Sequence, residues 1–171
     1  MTSRTLATTL GLIALSFSLN APAAIVTFVA SMDGHQEINS LTGIPDGGDP
    51  DGFGTATLMI DDVANTITWE ITVGNILLPP IGAHIHQGAV GTNGPIRIDF
   101  NAQLSGTNLA DPDLVTLLGN PTGFYVNVHN EQFSSGAIRG QLGAPVPAPS
   151  AVLLFGTALA AGVTRLRRRR H

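Results

Sequence analysis

The chain has 171 residues and no cysteine, and its twelve acidic residues outweigh eight basic ones for a formal charge of −4. All eight cations are arginine and six lie near the ends, so residues 24–143 hold all twelve acids against Arg97 and Arg139, a charge of about −10. That span excludes nucleic acid and anionic lipid as partners, and the missing thiols exclude disulfide exchange, cysteine nucleophiles and thiolate-held metals.

Residues 1–23 read as an address. Arg4 precedes the apolar run Leu6–Leu19, and the small residues Ala21 and Ala23 follow. A basic start, a short apolar stretch and a small-residue site predict a signal peptide cleaved after Ala23, hence export. The run is short for a membrane span and is diluted by Thr, Ser and Gly.

From Ile25 onward the pattern has period two. IVTFVAS, GTATLMID, TITWEITV, PIRIDF, GFYVNVH and GAIRGQL are short, β-branched and separated by Gly, Pro, Asn and Asp. In TITWEITV, Ile67, Trp69, Ile71 and Val73 share one face and Thr66, Thr68, Glu70 and Thr72 the other, the alternation of a half-buried antiparallel strand. IDDVANT reads as a hairpin connection. PDGGDPDGFG, with Asp46, Asp49 and Asp51, matches no calcium-loop spacing and reads as a solvated loop. The stretch 101–121 reads as a long excursion with one short helix at Leu114–Leu118. These elements predict an all-β antiparallel β-sandwich of about seven to nine strands with Greek-key-like links.

Within AHIH, His84 and His86 oppose Ile85, and within FYVNVH, Tyr125, Asn127 and His129 oppose Val126 and Val128. If the two strands are neighbours, three imidazoles converge, with Tyr125 or Asn127 placed to orient them. Two readings stay open. Neutral imidazoles suit copper or zinc. Alternatively, the histidines form a hydrogen-bonded polar cluster that sets strand register, completed by ion pairs from Arg97, Arg139, Glu131 and Asp99. GAHIHQG also resembles, over these few residues, the copper-ligand strand of copper–zinc superoxide dismutase. His35 is the weakest candidate, since nothing in its flanks sets its direction. Arg139, an isolated cation, is expected to pair with a carboxylate. No nucleophile elbow or phosphate loop is present, and no catalytic residue is assigned.

The C-terminus carries a second address. Residues 151–163 are apolar and a basic cluster follows, with Arg165 and then Arg167, Arg168, Arg169 and Arg170. Thirteen residues fall short of the ~20 of a spanning helix; flanking residues bring the segment near the lower limit, with the arginines held on the cytoplasmic side. Val146, Pro147 and Pro149, this short apolar helix and the arginines together resemble the PEP-CTERM sorting signal of bacterial surface proteins. Ala148 stands where the commonest version has Glu. The resemblance implies an exosortase-type processing enzyme as partner and transient inner-membrane anchoring. A plain C-terminal anchor is the alternative.

Three stretches between the addresses carry a family resemblance. They are Gly34, Gln36 and Glu37; His84, Ile85, His86 and Gly88; and Tyr125–His129 with Ile138–Leu142. Their order and spacing resemble the CHRD domain over about residues 25–143. Asn39 and Ser40 stand in place of usual prolines, Asn130 in place of a common Thr, and Ala137 in place of a common Glu. The resemblance implies an extracellular β-rich domain without an established catalytic activity, and it marks Glu37, Tyr125, Asn127 and Arg139 as structural or binding residues.

The expected organisation is a signal peptide (1–23), a CHRD-like domain (24–143) and a sorting or anchor segment (144–171). The expected function is a non-enzymatic module exported to the cell surface or exopolysaccharide matrix of a Gram-negative-type bacterium. There it would act by binding polysaccharide or surface proteins, or by assembly. The alternative is an extracytoplasmic copper- or zinc-binding protein, redox-active if copper, built on His84, His86 and His129.

Overall fold

The computed structural model describes residues 24–147. The expected signal peptide, the apolar segment 151–163, Pro149 and the terminal arginines lie outside the described residues. Among the described residues no helix is long and apolar enough to cross a membrane.

Among the described residues eight strands form: β1 (Ile25–Asp33), β2 (Phe53–Asp61), β3 (Thr66–Gly74), β4 (Gly82–Gln87), β5 (Ile96–Asp99), β6 (Ser105–Ala110), β7 (Phe124–His129) and β8 (Ile138–Gln141). One short helix, α1 (Asp113–Gly119), sits between β6 and β7 and buries Leu114 and Leu117. Every expected strand is present. The β2–β3 hairpin forms as the sequence requires: the Asp61 carboxylate accepts from the Val63 and Ala64 amides, and Asn65 takes a positive φ of 51°. The strand absent from the sequence reading is β6. Its residues, SGTNLA, lack β-branched character, and its pairing to β3 is broken by a register shift between Ile67 and Trp69.

The expected sandwich of two separate sheets is corrected to one continuous antiparallel sheet in the order β5-β4-β7-β8-β1-β2-β3-β6. The β1–β8 seam is narrow, with a single registered pair, Asp33 with Arg139. A flat sheet of eight strands would hold its two edges roughly 34 Å apart. Yet β5 and β6 are those edges, and the chain passes directly from Asp99 to Ser105. Six peptide units reach at most about 20 Å, so the sheet must curl until its edges face each other. The linker touches both halves: the Phe100 amide donates to Ala83 O and the Ile71 amide to Leu104 O. Phe100 stacks on Trp69, centroids 4.3 Å apart at 10°.

The concave face holds the apolar core, including Phe28, Leu58, Ile60, Ile67, Ile85, Ile98, Val126 and Ile138. Burying each such side chain contributes about 1.5–3 kcal/mol, which offsets the absence of any disulfide. The convex faces of the two halves differ. Over β1–β3 the convex face carries Val29, Met59 and Phe53 in the open. Over β4, β7 and β8 it is roofed by the 34–52 and 88–95 loops. The roof is tied by Asp49 N–H to Ala137 O and by Asn93 Nδ2 to Ile38 O. Asp49, expected in a solvated loop, is 6 % exposed. Beneath this roof lies a second, polar interior.

A three-histidine cluster on the convex face

β4 and β7 are neighbours, pairing Gly82 with His129, His84 with Asn127 and His86 with Tyr125. Period two therefore sends Gly82, His84, His86, Tyr125, Asn127 and His129 to one face. The histidines meet there. One ring nitrogen from each of His84, His86 and His129 lies within 4.8 Å of the others, and the ring centroids are 5.1–6.0 Å apart.

The outer nitrogen of each ring is engaged. His86 Nδ1 lies 2.9 Å from Gly94 O and His129 Nδ1 3.1 Å from Ser134 O. A carbonyl only accepts, so both rings carry their proton on Nδ1 and leave a lone pair on Nε2. His84 Nε2 faces Asp99 Oδ1 at 3.5 Å, which places its proton there and leaves Nδ1 free. The three inward nitrogens, His84 Nδ1, His86 Nε2 and His129 Nε2, are buried and have no partner. Buried polar atoms without partners are rare in native proteins. Backbone carbonyls and a carboxylate behind the rings are the outer arrangement that metal-ligating histidines take.

Electrostatics keep the cluster neutral. Burial lowers the pKa of all three histidines, and for His129 burial and the two neighbouring rings, against the Ser134 hydrogen bond, bring it to about 4. At neutral pH all three lone pairs are available. The unfolded chain then binds protons first as pH falls, so the metal-free protein is fully stable in this respect above about pH 6.5 and weakens toward pH 4. Glu37, raised by burial, opposes this slope as a single group. His129→Gln is expected to recover about 2 kcal/mol of the loss between pH 7 and 4.5, read from denaturant midpoints at both pH values.

The other candidates fall into place around the cluster. Tyr125 stacks on His86 at 4.9 Å and 9°, and the Arg139 guanidinium lies 3.4 Å from the other side of the Tyr125 ring system. Gly94 clamps the stack: its amide donates to Tyr125 Oη while its carbonyl takes His86 Nδ1. Arg139 is 1 % exposed. The carboxylate hydrogen bond expected for it is replaced by Ala89 O, Thr92 O, Asn93 Oδ1 and Gln141 Oε1. The loop carbonyls at 89–93 satisfy a planar cation as well as a carboxylate would, and Glu37 balances its charge through space. Glu37 itself is 2 % exposed, and Gly136, at φ +142°, gives its carboxylate room that a Cβ would occupy. Arg97 and Glu131 do not join the cluster: Arg97 turns to Gln87 and Asp113, and Glu131 is exposed. His35 pairs with Asp46 in the open.

Gly82 was missed by the sequence reading, although its spacing two before His84 carries the signal. A Cβ there would stand 2.7 Å from His84 Cε1 and 3.3 Å from His129 Cδ2. Because the first obstacle is the far end of a side chain, Gly82→Ala should keep the fold and swing His84 out of line. Metal affinity is expected to fall about 10–100-fold, as for lost supporting groups generally, with an unchanged circular dichroism spectrum. Gly94 and Ser134, which supply carbonyls from loops, left no sequence signal.

Of the residues expected to form a sorting motif, Val146 and Pro147 are among those described. Val146 N–H donates to Thr27 O at 2.8 Å, which sets this residue beside the start of β1.

Comparison with known proteins gives one family: the CHRD domain, matching residues 28–142. No curated protein and no solved structure gives a match.

Proposed function

Since the chain belongs to the CHRD domain family, a β-rich domain of unclear function, we propose that its activity is to hold one zinc or copper ion through His84 Nδ1, His86 Nε2 and His129 Nε2. One observation carries this reading: three buried, unpartnered ring nitrogens converge while the opposite nitrogen of each ring is already engaged. Metal–nitrogen bonds of 2.0–2.1 Å in a tetrahedral shell set the nitrogens about 3.4 Å apart. The donors lie within 4.8 Å of one another without the ion, so binding draws the three rings together. Neither ion needs a thiolate, which this chain lacks. The test is metal analysis of protein purified without a His tag, beside His84→Ala and His129→Ala. One equivalent in the parent and little in the variants is expected; equal metal in all three preparations refutes the reading.

The module is proposed to work outside the cytoplasm, at the cell surface or in the polysaccharide matrix, without catalysing a reaction. The two terminal patterns support this, together with an acidic domain free of any nucleophile constellation. Val146 and Pro147, where an exosortase-type enzyme would act, follow the last strand of the sheet and lie outside the apolar core, which suits removal of the tail without loss of the core. Fractionation with terminal sequencing tests it: a mature protein starting at Ala24 and lacking the arginines is expected. A full-length cytoplasmic product overturns it.

A further inference from the structure

We infer that the ion held by the three histidines keeps its fourth position open to exchange, and that this position takes a small anion or water. The inference rests on the metal reading above and adds to it the class of ligand. Structural zinc sites are closed by four protein donors, whereas three donors leave a place for a small molecule.

Among the described residues, the group of His, Cys, Asp and Glu side chains gathered here has three members. Asp99 lies against His84 Nε2, whereas the buried nitrogen of that ring without a partner is Nδ1. The Asp99 carboxylate is engaged by the opposite nitrogen and is not a member of the donor group. All three donors are neutral, so a divalent ion would sit half-buried with its charge uncompensated by any ligand, while the Arg139 charge behind the Tyr125–His86 stack is already balanced by Glu37. In such a medium an anionic fourth partner is favoured over a neutral one. Access exists, because the His84 side chain is 15 % exposed and His129 is only partly buried. Next to His84 in register stands Asn127, 2 % exposed, whose Oδ1 is buried without a partner. It offers an acceptor for a proton on metal-bound water.

The test loads the protein with copper(II), and separately with cobalt(II) as the spectroscopic stand-in for zinc, and titrates azide into each. The expected result is one metal per chain, followed by a saturable azide charge-transfer band and altered copper EPR parameters at one azide per metal. Water-proton relaxation should fall as azide displaces the bound water. One metal per chain with no azide response and no exchangeable water would overturn the open position while leaving the metal site standing. Failure of both metals to bind stoichiometrically would overturn both.

Discussion

Zinc at about a thousandfold over its dissociation constant should stabilise the protein by about 4 kcal/mol, and His129→Ala should abolish that gain. For a domain of this size each kcal/mol moves the melting temperature by roughly 3–6 °C, so the shift is well above 10 °C and reverses with a chelator. The polar-cluster alternative makes the opposite forecast. If the three histidines only fix register, zinc changes nothing and His129→Ala destabilises the protein in its absence. In the metal reading the same variant costs little without metal. It gives up one hydrogen bond to Ser134 O but removes a buried nitrogen that has no partner. Calorimetry of parent and variant, each with zinc and with chelator, separates the two: a parent melting temperature unmoved by zinc refutes the metal site.

Arg139→Met should be the most damaging single substitution in the roofed layer, costing about 3–5 kcal/mol. The guanidinium is the counter-charge to buried Glu37, the donor for Ala89 O and Thr92 O, and the plate that presses Tyr125 against His86. Without it Glu37 is left as an uncompensated buried carboxylate, and the 88–95 loop loses the cation that gathers it. Arg139→Lys keeps the charge but neither the flat stack nor the forked donors, so it should fall between Met and the parent. The control is Arg97→Met, whose arginine is the only other one in the described span and makes one exposed hydrogen bond to Gln87 and one long surface ion pair, 3.9 Å from Asp113. Its denaturant midpoint should match the parent. An Arg139→Met protein as stable as the Arg97→Met control would show that the stack is ornament to the fold.

Much of this molecule was legible before folding. Alternation in TITWEITV and FYVNVH marks which residues turn inward, and Ile67, Trp69, Ile71, Val126 and Val128 do lie in the core. The same period put His84 with His86 and Tyr125 with His129, because side chains two apart on a strand have no choice of face. The strand β6 escaped because an edge strand needs little side-chain burial and so leaves little pattern.

Seven of the eight strands, the face that His84, His86 and His129 take, and the neutrality of a cysteine-free donor set follow from local geometry and residue chemistry. That β4 and β7 are neighbours, although 36 residues lie between Gln87 and Phe124, is a property of the assembled sheet. So are the roof over the convex face and the places of Gly94 O, Ser134 O and Asp99 behind the rings. Strand pairing at that distance is selected by burial of the whole sheet and by a linker short enough to force the curl. Neither is encoded in the period of any one strand.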